Sequence, residues 1–130
     1  MDRKVKATEL HHKGFNCAQA VVMAYCDLFD MDEKTAMRAA EGFGAGMGSF
    51  TQVCGALSGA VMLAGLKNSD ADVENGPKSK KTTYESSKQL VDEFKARCGA
   101  LNCCDLKAGK RVSCDECIAC AAGIVEEKLL

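Results

Sequence analysis

Tryptophan is absent from this chain of 130 residues, proline occurs once, and neither sign of charge is in excess, 17 Lys and Arg standing against 18 Asp and Glu. A net charge of −1 gives no field to draw the protein to nucleic acid or to an anionic membrane. No apolar run approaches the ~20 residues that cross a bilayer, the longest being Val53 to Leu66. The opening residues Met1 to Lys6 lead into a charged amphipathic segment without an apolar signal core of about 7 to 15 residues, so a reducing cytoplasm is the expected location. Strict apolar–polar alternation long enough for a strand is missing as well. With 47% hydrophobic and 27% charged residues the composition is globular, which excludes disorder and fibrous repeats, and the length fits one domain over residues 1–130.

Cysteine is what the chain has in excess, nine in all. An odd number cannot close into disulfides alone, and at this density in a reducing compartment cysteines are metal ligands or redox groups more often than staples. The function therefore turns on which of the nine come together.

Helical periodicity runs almost throughout and predicts an all-α fold, a single-domain helical bundle of about five or six helices around a buried central helix. The first helix is expected over about Asp2 to Lys13 and the second from Cys17 to Phe29 behind Asn16 as cap. The third is expected from about Met31 to Ala40, with Asp30 and Glu33 as a capping box. After a glycine loop, Gly42 to Gly48, a fourth helix over Phe50 to Leu66 is expected to start at Ser49, with Gln52 completing the box. Val53 to Leu66 is apolar all round and reads as the central helix, with Gly55 and Gly59 letting a neighbouring backbone approach. The polar stretch 67–81, which holds Pro77, reads as a linker. A fifth helix over Thr82 to Cys98 would bury Tyr84, Leu90, Val91 and Phe94, and a sixth follows Ser113, capped by Ser113 and Glu116.

At 100° per residue, Val21, Ala24 and Leu28 fall within about 40° of Cys17, which therefore faces the core, while Cys26 falls opposite. In the last helix Cys114 lies on the apolar stripe, Cys117 about 60° to one side and Cys120 about 120° away. Cys17, Cys54 and Cys114 each sit in the first turn of a predicted helix, where free amides favour a thiolate. Cys103 or Cys104 would add a fourth sulfur from the intervening loop, as a soft metal or cluster requires. The run CDECIAC (Cys114, Cys117, Cys120) is part of a ferredoxin signature without its last Cys and Pro. A compact zinc module would pair one CxxC with another or with a His pair, and His11 and His12 read as surface or helix-end residues. The glycine loop lacks the Lys and Ser or Thr of a phosphate loop, which argues against a nucleotide. Its Gly44, Gly46 and Gly48 would instead let backbone amides curl around an anionic cofactor.

Three motifs together, NCAQAV (Asn16 to Val21), GFGAGMG (Gly42 to Gly48) and CGALSG (Cys54 to Gly59), resemble the redox-active protein family named for its C, GCAxxG, C, C cysteine pattern. The resemblance covers nearly the whole chain. It carries the four characteristic cysteines onto Cys17, Cys54, Cys103 and Cys114, with Cys104 and Cys117 as neighbouring alternatives. It implies redox activity, and selenoprotein relatives favour thiol chemistry over a purely structural metal. The expected function is a thiolate-bound iron–sulfur cluster or similar metal centre that transfers electrons to a redox partner protein, with a homodimer left open. Two alternatives compete with it. One is a thiol–disulfide oxidoreductase or redox sensor using Cys54 with Cys17 or Cys114; the other is a zinc-binding interaction module.

Overall fold

A computed structural model describes residues 2–108 and 112–130. Seven α-helices run through them: α1 (Arg3–His12), α2 (Cys17–Tyr25), α3 (Glu33–Ala40), α4 (Gly55–Asn68), α5 (Lys80–Cys98), α6 (Cys103–Lys107) and α7 (Cys114–Lys128). The described residues contain no strand, only an isolated antiparallel bridge between Val53 and Asn102. The all-α expectation holds, with one short helix, α6, that periodicity could not reveal in five residues. Among the described residues no helix is long and apolar enough to cross a membrane.

Side-chain caps set several helix starts. The Asp2 carboxylate accepts from the amides of Lys4 and Val5. Asn16 accepts from the Gln19 amide at 2.9 Å while the Gln19 side chain accepts from the Asn16 amide at 3.0 Å, so α2 opens with a closed capping box. Ser113 accepts from the Glu116 amide at 3.1 Å, as expected for α7. Two other starts differ from expectation. α3 is capped by Asp32, which accepts from the Thr35 amide at 3.0 Å. Asp30 instead takes a left-handed φ of 60° and closes the 3₁₀ turn Cys26–Phe29 that continues α2.

The start of α4 differs more. Ala45, Gly46, Met47 and Gly48 have φ of 54°, 61°, 63° and 74°, and Phe50 follows at 64°. A right-handed helix cannot propagate through such a left-handed turn, so α4 starts at Gly55 with Cys54 as its cap. Ser49, expected to cap it, donates its hydroxyl to the Gly46 carbonyl at 3.0 Å.

The buried apolar residues form one cluster. α2 is its most enclosed element, with Ala18 to Tyr25 all buried, whereas α4 keeps Ser58, Val61, Met62, Gly65 and Leu66 half-exposed. α2 and α4 start side by side because two glycines let them touch. A Cβ on Gly59 would lie 2.9 Å from the Ala18 carbonyl oxygen, and one on Gly55 would lie 3.2 Å from the Ala18 nitrogen. Forcing a methyl group into the first contact should cost about 1–3 kcal/mol, since the obstacle is backbone. α5 adds buried Leu90 and Phe94, and α7 adds Ile118, Ala121, Ile124 and Val125. Tyr84 does not join them and is 65% exposed, because it sits about 120° around α5 from Leu90. The segment read as a linker folds onto its own side chains. The Asp70 carboxylate accepts from the amides of Asp72 and Lys78 at 3.2 and 2.8 Å, and Ser79 accepts from the Asp70 amide at 3.0 Å.

Candidate functional site

Cys17 is the first residue of α2, Cys54 caps α4, Cys103 is the first residue of α6 and Cys114 the first of α7. All four line one cavity of about 150 Å³, together with Cys117, His11 and Lys107. That volume is below the roughly 300–1,000 Å³ of sites for drug-sized molecules, and its lining of sulfur, one imidazole and one ammonium suits an ion or small cluster better than an organic cofactor.

Three local devices bring the sulfurs together. The glycine contacts between α2 and α4 set Cys17 beside Cys54. A clamp of main-chain bonds joins Cys54 to Cys103: the Cys54 amide donates to the Leu101 carbonyl at 2.8 Å, and the Cys103 amide to the Gln52 carbonyl at 2.7 Å. The left-handed turn then supplies the wall behind Cys103. A Cβ on Gly46 would lie 2.7 Å from the Cys103 Cβ, so only glycine fits there. Non-glycine residues in this conformation cost about 1–2 kcal/mol each, so Ala45, which lines the cavity, and Met47 beyond it both store strain in this turn.

The charges are arranged around one thiolate. The neighbouring Cys117 thiol and the free amides of Ala56 and Leu57 at the start of α4 favour the Cys54 thiolate. Together they outweigh burial and bring Cys54 down from 9.0 to about 7. Cys117, facing that sulfur, is held well above the ordinary thiol range, burial adding to the effect. Burial and the neighbouring Cys114 and Cys54 sulfurs push Cys17 up to about 12. The neighbouring Cys114 sulfur raises the Lys107 pKa, and the Lys107 charge favours the thiolates of Cys103, Cys17 and Cys54. Burial raises Cys103 itself.

His11, Cys17 and Cys114 each present a ligand atom within 4.8 Å of the others. The His11 Nδ1 lies 2.8 Å from one oxygen of Asp115, whose second oxygen is 2.7 Å from the His12 Nε2. Both contacts lower the Asp115 pKa, His12 contributing more.

Residues 15–128 match the family described as Putative redox-active protein (C_GCAxxG_C_C). The chain belongs to this family. No curated protein and no solved structure matches it. The family description names four cysteine positions in order, and the chain brings cysteines from four distant stretches to one cavity.

The structure thus gathers Cys17, Cys54, Cys103 and Cys114. Of the three glycines expected to cradle a cofactor, Gly46 lines the cavity, Gly44 packs against the Asn16 side chain, and Gly48 is exposed with nothing within 4 Å of a built Cβ. Cys104 is exposed and directs its thiol to the Thr51 carbonyl at 3.6 Å, away from its neighbour's cavity. Cys26, expected opposite the apolar stripe, is fully buried at the start of the 3₁₀ turn, next to a helix whose opposite face, Val22 and Met23, is buried too. His11 and His12, expected at the surface or at a helix end, both lie in the last turn of α1; His12 is 60% exposed in its side chain, while His11 also lines the cavity. Sequence reasoning passed over Lys107, and it ranked Cys117 behind Cys114 although Cys117 is the more deeply buried. Spacing held a signal for the last two. Lys107 is four residues after Cys103 and Cys117 three after Cys114, each one helical turn further along the same face.

Proposed function

We propose that the chain is a redox protein whose cavity holds an iron–sulfur cluster or a similar soft metal centre on Cys17, Cys54, Cys103 and Cys114, exchanging electrons with a partner protein in the cytoplasm. The observation that supports it is the convergence of four helix-start thiols on one small cavity. The donor set fits the group: the sulfurs are soft, they face one space, and helix amides and Lys107 compensate negative charge there. When bound, such a centre supplies a one-electron couple whose potential depends on cluster type, net charge, hydrogen bonds to sulfur and solvent exposure. The chain's own part is to lose thiol protons on loading and to hold the sulfurs in a common array. Cys54, brought down to about 7, gives up its proton more readily than an ordinary thiol. Lys107 offsets anionic charge, and the largely apolar cavity wall limits the approach of water. Anaerobic purification followed by iron and acid-labile sulfide analysis tests the proposal. A coloured protein whose Cys17→Ser, Cys54→Ser, Cys103→Ser and Cys114→Ser variants lose both metal and stability supports it. A colourless, zinc-loaded protein favours the interaction module instead.

The Cys54–Cys117 pair favours a second reading, thiol–disulfide exchange. The Cys54 thiolate attacks a substrate disulfide, forming a mixed disulfide and releasing one substrate thiolate. Cys117 then attacks the Cys54 sulfur, leaving an intramolecular disulfide and a second substrate thiolate that takes the Cys117 proton. Metal-free protein that is active and cycles a Cys54–Cys117 disulfide would decide for this reading.

A further inference from the structure

We infer that His11 supplies a nitrogen ligand to the centre, so that the donor set mixes imidazole with thiolate and Asp115 fixes the imidazole's orientation; this rests on the metal-centre reading above. His11 lies in the last turn of α1, outside the motif that names the family, yet its side chain lines the cavity and is only 27% exposed. Its ligand nitrogen lies within 4.8 Å of the Cys17 and Cys114 sulfurs, close enough for one ion to bridge all three. The Nδ1 is engaged by Asp115 at 2.8 Å. With a proton on Nδ1, the lone pair for a metal is on Nε2, and the carboxylate sets tautomer and ring direction together. Histidine ligands commonly have such a carboxylate on their second nitrogen.

The chain couples these parts by adjacency. Asp115 follows Cys114 directly, so one turn of α7 carries a thiolate ligand and the group that orients the imidazole. His12 holds the other carboxylate oxygen at 2.7 Å, which fixes Asp115 in turn. A bare ion pair between α1 and α7 would account for the His–Asp contacts, but not for an imidazole on the cavity wall beside two sulfurs. His11, His12 and Asp115 also bring ligand atoms within 4.8 Å of one another. An ion taken there would break both hydrogen bonds and offer only nitrogen and oxygen, whereas the cavity adds sulfur. A neutral imidazole adds a ligand without adding negative charge, whereas a further thiolate at that position would lower the reduction potential.

The test uses the full chain reconstituted anaerobically with ferrous iron and sulfide, and separately with Co²⁺ alone, examined by pulsed electron paramagnetic resonance. The wild type should show nitrogen hyperfine coupling that changes when histidine is ¹⁵N-labelled, a readout independent of how any variant folds. His11→Ala and His11→Cys should lose that coupling, and His11→Cys should keep the centre at a lower reduction potential. Asp115→Asn should retain the coupling with altered magnitude and weaken Co²⁺ binding by about 10–100-fold. Cys104→Ser, outside the cavity, should match the wild type. A loaded wild-type protein without histidine coupling, or coupling that survives both His11 substitutions, overturns the assignment while leaving the metal-centre reading in place. Failure of the wild type to take up either iron or cobalt overturns both.

Discussion

Replacing Gly46 by alanine should damage the candidate site by crowding Cys103 and the Gln52 backbone that holds it. Gly46 has φ +61°, and a built Cβ there would lie 2.7 Å from the Cys103 Cβ and 2.9 Å from the Gln52 carbonyl oxygen. The left-handed backbone costs an alanine about 1–2 kcal/mol, and crowding against fixed neighbours adds about 1–3 kcal/mol. Gly48 separates the two effects. Its φ is +74° but nothing lies within 4 Å of its built Cβ, so Gly48→Ala carries only the backbone cost. At this chain length each kcal/mol moves the melting temperature by roughly 3–5 °C, giving falls of about 6–25 °C for Gly46→Ala and about 3–10 °C for Gly48→Ala. Thermal unfolding by circular dichroism measures both, and metal uptake should fall only in Gly46→Ala. Equal melting shifts with equal metal content would refute the claim that Gly46 is the wall behind Cys103.

The stability of the metal-free protein should rise with pH between about 7 and 9, because Cys54 ionises in the folded state before its unfolded value of 9.0. Above 9 it should fall, because folded Cys17, raised to about 12, keeps a proton that the unfolded chain releases. Urea unfolding across that range checks both slopes, and a monotonic curve would contradict the assigned shifts. In metal-free protein iodoacetamide should alkylate Cys54 with a midpoint near pH 7 and Cys17 far more slowly, read by peptide mass spectrometry. Cys103→Ser should lose the centre and Cys104→Ser should keep it, as metal analysis of the pair will report. Cys26→Ser should retain full metal content and lose about 1–3 kcal/mol, toward the low end because the hydroxyl inherits the Met23 carbonyl as acceptor.

Periodicity made the helices legible because most bury one stripe, and Asn16 and Ser113 announced two starts through their side chains. The start of α4 was hidden, since the sequence SFTQ carries a helix-start pattern while the backbone before it winds left-handed from Ala45 to Gly48. Cys17, Cys54 and Cys114 were visible as helix-start sulfurs, which is a local property. His11 was not, because its place depends on α1 packing against α7, a contact that no spacing within the chain encodes. Cys26 misled for a related reason: angular position separates core from solvent only on a helix with an exposed side, and the helix before it is buried from Ala18 to Tyr25. Cys103 and Cys104 could not be ranked without α6, whose first turn sends one sulfur inward and the other to Thr51.

The cavity draws on two parts of the chain separated by the surface loop 69–79. Cys17 and Cys54 precede that loop, while Cys103 and Cys114 follow it. An occupied centre is thus a cross-link between two chain halves, joined elsewhere by packing and by the short clamp at Val53 and Asn102. A protease nick among the exposed residues of the loop would leave each fragment with half a ligand set. The loaded protein should then migrate as one body in native gels and part into two only when a chelator strips the metal and a denaturant loosens the core.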